Sequence, residues 1–185
     1  MPDSPQKTML VSKYGERESF LITFNPDYQR TICDNAVECF FGDYPTLATI
    51  KAGYGQNMPT MWLIPQLLDL SEYCACRDKL EGKPLEGCAY VISTEYYYLK
   101  ISELILFFHR FKSGRYGRFY GSVDPLVITT TIRDFIRERN IEIARHEQEE
   151  RERREQEYRA AHPPVSREEY LIRKQTKDKP KTNQT

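Results

Sequence analysis

Net charge is the first thing missing: 27 basic residues face 27 acidic ones across 185 positions. A chain with no surplus of Lys and Arg is not built to hold nucleic acid by bulk charge, because nonspecific affinity comes from neutralised phosphates. A local basic patch on a neutral body remains open. Long apolar runs are missing too, and none reaches the ~18 residues that a membrane-spanning helix needs. A membrane is therefore not expected as a partner. The opening Met1-Pro2-Asp3-Ser4-Pro5 carries neither the basic nor the apolar region of a signal peptide. A cytoplasmic protein with reduced cysteines is expected.

Histidine is scarce, with three residues at His109, His146 and His162. Nucleophilic catalysis usually needs a base beside the nucleophile, and these are scattered. No Gly-x-Ser-x-Gly elbow and no phosphate-cradling Gly-x4-Gly-Lys loop is present. The five cysteines, Cys33, Cys39, Cys74, Cys76 and Cys88, are odd in number and have no regular framework. Cys74-Ala75-Cys76 puts one residue between its thiols, where zinc sites use wider spacing and a second matching pair. No catalytic residue, metal ligand, cofactor or small-molecule substrate is assigned on these grounds, and an enzyme is not expected.

What is present is mostly helical. Apolar residues gather before Arg137, and beyond it the chain is charged. The reading is an N-terminal arm or hairpin over 1–24, a helical domain over 25–141, a solvated charged helix over 142–162 and a flexible tail over 163–185. The class is mainly α, a compact bundle of about five or six helices. A short hairpin is one reading of Thr8–Val11 and Phe20–Phe24 around Gly15, since the flanks are β-branched and aromatic; an ordered arm without strands is the other.

Asn25-Pro26 and Gly42 bracket a helix over 26–41. Thr46 caps a short one to Ala52, and Pro59 or Thr60 opens another, which Pro65 either starts properly or kinks. A helix over 85–98 comes next, and Ser102 is the expected cap of an apolar helix that stops at Gly114. Asp124-Pro125 starts the last helix, whose charged part over 142–159 is held by Glu and Arg three or four residues apart. Ser166-Arg167-Glu168-Glu169 is a capping-box pattern before Tyr170-Leu171-Ile172. Glu169, Tyr170, Leu171 and Ile172 are taken as a docking peptide for a partner protein.

One segment stands apart. From Phe107 to Gly121, six aromatics interleave with Arg110, Lys112, Arg115 and Arg118, and no acid lies between Glu103 and Asp124. Cations for phosphates and rings for unpaired bases are what a single-strand binder uses, each stacked base being worth ~1–3 kcal/mol. A protein-docking surface and a plain joint between helices are the competing readings. Phe107, Phe108 and Phe111 are assigned to the core. The contact candidates are Arg110, Lys112, Arg115, Tyr116, Arg118 and Tyr120. Tyr96-Tyr97-Tyr98 cannot all point inward from a helix, so at least one faces solvent or a partner.

The run Tyr98-Leu99-Lys100-Ile101-Ser102-Glu103-Leu104, continuing through Phe111-Lys112-x-Gly114-x-Tyr116-Gly117-x-Phe119-Tyr120-Gly121 to Asp124-Pro125, resembles a family of small uncharacterised helical proteins from bacterial mobile elements and prophages. The similarity runs from about Tyr44 to Arg139. It implies a role in DNA replication by analogy with helicase loaders, non-catalytic proteins whose flexible C-terminal part engages the helicase. It carries no functional residues over. The resulting expectation is a non-enzymatic replication accessory or adaptor acting by protein–protein contact, with a replicative helicase as the implied partner. The alternative is a binder of single-stranded DNA that uses the 110–120 turn.

Overall fold

Phe20, Ile22 and Phe24 would share one face of a strand. Phe20 and Phe24 are buried, while Ile22 between them is 71% exposed. That is a period of four, and the hairpin reading is corrected by it. The computed structural model, which describes residues 5–163 together with 167, 168 and 171, has helices here: α1 Pro5–Tyr14 and α2 Arg17–Thr23. Leu10 of α1 seats against Gly53, where a Cβ would collide with it. Tyr54 then ties the pair down, its hydroxyl donating to the Gly15 carbonyl at 2.7 Å. Tertiary packing has overridden the β-branched composition.

The chain also breaks into more and shorter helices than about five or six. Asn25 caps as expected, accepting from the Asp27 N–H at 2.8 Å, but it opens a 3-10 turn, Pro26–Tyr28, and then α3 Gln29–Ile32. Asn35 supplies a second cap by accepting from the Glu38 N–H, so α4 Ala36–Phe41 starts afresh. Asn favours such a cap over continuing a helix, which splits the single helix expected over 26–41. Thr46 caps α5 Leu47–Tyr54 through the Thr49 N–H. Helix α6 Met58–Tyr73 contains Pro65 in its interior. Trp62 and Gln66, one turn apart on α6, both donate to the Phe24 carbonyl.

Helix α7 Gly82–Glu95 ends before the tyrosine run. Helix α8 Ile101–Lys112 is the core, with ten residues buried from Ile101 to Phe111. Its cap is Lys100 rather than Ser102. The Lys100 N–H donates to Glu103 while its ammonium donates to the Phe40 and Gly42 carbonyls at the end of α4. Ser102 is buried and donates to the Cys39 carbonyl at 2.7 Å, so its hydroxyl serves a tertiary contact instead. Helix α9 Pro125–Ala161 opens on Asp124, which accepts from the Leu126 N–H. Burying the side chains of α8 supplies roughly 1.5–3 kcal/mol for each large apolar residue.

Two compact units result, Met1–Ile143 and Ala144–Thr185. Within the first, α9 buries Ile128, Thr131, Ile132 and Phe135. Within the second, its side chains are mostly exposed, and ion pairs recur three and four residues apart, such as Arg153 with Glu150 at 2.7 Å and Glu157 at 3.8 Å. Among the described residues there is no helix long and apolar enough to cross a membrane.

Candidate functional site

The end of α8 sets the geometry of the basic, aromatic segment. Gly114 adopts φ 79°, and the N–H groups of Gly114 and Arg115 return to the carbonyls of Phe111 and Arg110. This is a Schellman closure, which needs a residue without a Cβ at the left-handed position. It brings the Arg115 side chain alongside that of Arg110. Tyr116 then stacks on Phe107 at 5.8 Å, and Phe119 stacks on Phe111 at 5.2 Å. Tyr116 and Phe119 are plugs on α8.

Both arginines meet two acids of α9. Arg110 donates from Nη2 to Glu142 at 2.8 Å and stands 3.8 Å from Glu138 through Nη1. Arg115 pairs with Glu138 at 3.0 Å and Glu142 at 3.7 Å. The Tyr116 hydroxyl donates to the same Glu138 oxygen at 3.0 Å. Burial and then the Glu138 charge push the Tyr116 phenol well above its ordinary range. The Arg110 guanidinium lies between the rings of Phe40 and Phe135, 5.8 and 5.9 Å from their centroids. Its Nη1 is buried without a hydrogen-bond partner.

The other candidates separate from this cluster. Lys112 pairs with Asp69 of α6 and lies over the Tyr73 ring. Arg118 and Tyr120 are exposed, Tyr120 at 89%. Arg118 borders a cleft of about 320 Å³ with Tyr73, Lys112, Gly117 and Phe119. Leu171 is exposed, and Glu169, Tyr170 and Ile172 lie outside the described residues. So Arg110, Arg115 and Tyr116 converge, Lys112 turns to another helix, and Arg118 and Tyr120 remain on the surface.

Three acceptors went unassigned in the sequence: Glu138, Glu142 and Asp69. A signal for the first two exists. They continue the stripe Ile128, Ile132, Phe135 at three and seven residues beyond Phe135, the spacing of one helix face. Carboxylates on an otherwise buried stripe require cations opposite them. A further carboxylate, Glu103, is fully enclosed and accepts from Arg139 at 2.6 Å. Among the described residues no three His, Cys, Asp or Glu side chains gather as a metal site would need.

Of the tyrosine run, Tyr96 is half-buried and donates to the Thr129 carbonyl at 3.1 Å. Tyr97 and Tyr98 stand out at 55% and 46% exposure, edge to face with ring centroids 5.7 Å apart.

The model of a family of unknown function, DUF6633, matches residues 84–181, more than half of the chain. No curated protein and no solved structure matches.

Proposed function

Because the chain belongs to this family of unknown function, its activity has to be read from its own surface, and we propose that it is a non-enzymatic adaptor acting by protein–protein contact. The observation that carries the reading is the fate of the cations. Arg110, Lys112 and Arg115 are paired with Glu142, Asp69 and Glu138, so the acid-free basic stretch offers little free charge to phosphates. Just before the opposite end of α8, the surface offers Tyr97 and Tyr98 instead, and exposed tyrosine is typical of protein interfaces. A cytoplasmic setting and a replication-accessory role, with a replicative helicase as partner, are the parts of this proposal that rest on the resemblance to mobile-element and prophage proteins. The segment Glu169–Ile172 is the second contact in this proposal.

Affinity purification of the tagged protein with and without nuclease tests it. One protein partner is expected in both preparations, depleted by Tyr97→Ala with Tyr98→Ala or by removal of residues 160–185. A partner that vanishes on nuclease treatment would sink the reading.

A second reading has its own observation. Arg118 and Tyr120 are exposed beside the cleft that Lys112, Tyr73 and Phe119 line. Single-stranded DNA bound there would stack on Tyr120 and lose affinity with salt.

A further inference from the structure

The cleft that Arg118 borders is built from three pieces of the fold. Tyr73 and Cys74 come from the end of α6, Lys112 from the end of α8, and Gly117, Arg118 and Phe119 from the turn that follows. At about 320 Å³ it stands at the lower end of the range for small-molecule sites, roughly 300–1,000 Å³.

Its charge is one-sided. Lys112 and Arg118 line it, and no carboxylate does. Asp69 accepts one of the three N–H groups of the Lys112 ammonium, so donors remain for a ligand. Arg118 is exposed and, unlike Arg110, Lys112 and Arg115, pairs with no carboxylate among the described residues. Such a lining favours an anion.

The cleft also presents rings. Phe119 stacks on Phe111 with the two planes 16° apart, which occupies one face of the Phe119 ring. Tyr73 is 62% exposed on the same cleft. Between cations and rings, Gly117 contributes backbone alone at φ 94°, and a Cβ there would meet nothing within 4 Å. A flat ring therefore has open space in which to lie against these aromatics.

We infer that this cleft binds a nucleoside monophosphate, with its base against Phe119 and Tyr73 and its phosphate on Lys112 and Arg118. A base supplies the planar face, since every nucleobase stacks on aromatic side chains. A phosphate monoester carries about −1.5 to −2 charges at pH 7, which suits two cations. The internal phosphates of a strand are diesters with a single charge each, and a cleft of this size holds one nucleotide. The occupant is thus a free nucleotide and not the single strand of the second reading. It is also independent of the adaptor reading, which concerns protein partners.

Adenosine 5′-monophosphate is the probe, titrated into the folded full chain by calorimetry, with a cysteine to report the place of binding. Cys74 is half-buried on the cleft, whereas Cys33 is half-buried on α8 near the Ile105 carbonyl. The nucleotide should bind saturably and slow iodoacetamide labelling of Cys74, read by mass spectrometry, while Cys33 keeps its rate. Arg118→Glu, at an exposed position, should weaken binding by at least roughly tenfold. Tyr73→Ala should weaken it by roughly tenfold, and Tyr73→Phe, which keeps the ring, should not. Adenosine and inorganic phosphate should each bind at least roughly tenfold more weakly than the nucleotide, because each uses half of the cleft. No saturable binding, or unchanged labelling of Cys74, would overturn the inference. Equal displacement by phosphotyrosine, or by an oligonucleotide without terminal phosphates, would overturn it as well, in favour of a peptide or a strand. Failure of the nucleotide to bind leaves the adaptor reading intact.

Discussion

Arg110 on α8 donates through Nη2 to Glu142 on α9 at 2.8 Å, with only a tenth of the arginine side chain exposed. Of the four cations taken as contact candidates, Arg110 is thus the most deeply buried. Burial opposes its charge, and the hydrogen bond and charge of Glu142 together with Tyr116 more than offset that.

Removing the acid should therefore cost far more than a surface ion pair would. Glu142→Ala is expected to destabilise the protein by about 3 kcal/mol, because it leaves a largely buried guanidinium with only the longer Glu138 contact at 3.8 Å. The single tryptophan, Trp62, is fully enclosed and reports unfolding through its fluorescence. In a double-mutant cycle with Arg110→Met, the coupling should be at least about 1 kcal/mol. A coupling near zero would mean that the pair is incidental.

Glu103 and Arg139 make the same point at full burial. Arg139→Met leaves an enclosed carboxylate with only the Lys100 N–H, and a loss of about 3 kcal/mol is expected. Glu103→Gln keeps an acceptor for that N–H and should cost less, about 1–2 kcal/mol. Denaturant midpoints of the two variants settle the order.

The parts of the fold legible in the sequence are those that depend on local spacing. The helical class, the cap at Thr46, the start at Asp124-Pro125 and the burial of Phe107, Phe108 and Phe111 all belong to this group. The helices over 5–23 were not legible, because β-branched residues hid the four-residue repeat of Phe20 and Phe24. Lys100 was missed as a cap because Ser102 lies two residues on, and Asn35 because Asn25-Pro26 and Gly42 bracket an apparently continuous helix. The site was half legible. The cations stood out as a cluster, but their acceptors lie more than twenty residues away on α9 and α6, and only a helical projection aligns Glu138 and Glu142 with Phe135.

Alkaline pH should reveal the enclosed phenols. Burial is the leading cause that raises Tyr44, Tyr54, Tyr96 and Tyr116 above the ordinary value near 10. A raised group holds its proton more tightly when folded. Its contribution is therefore complete below pH 10 and is lost as pH climbs above it. Stability measured by denaturant midpoint should fall across that range, and Tyr116→Phe should flatten the fall. Phenolate absorbance of the native protein should lag that of the unfolded chain, and coincident curves would refute this.

Arg118 and Tyr120 make the opposite forecast. Both are exposed, so Arg118→Glu and Tyr120→Ala should each change stability by less than about 0.5 kcal/mol. Thermal unfolding of the two variants checks it. This makes them clean probes of binding, because any loss of a partner cannot be blamed on unfolding.

The adaptor reading meets its most direct test in a fluorescence-anisotropy titration of the full chain against a labelled single-stranded oligonucleotide, from about 50 to about 200 mM salt. With Arg110, Lys112 and Arg115 already paired with carboxylates of the protein, no saturable binding is predicted at the upper salt, and Arg115→Glu with Arg118→Glu should leave the curve unchanged. Saturable binding that weakens steeply with salt and disappears in that double variant would contradict the adaptor reading.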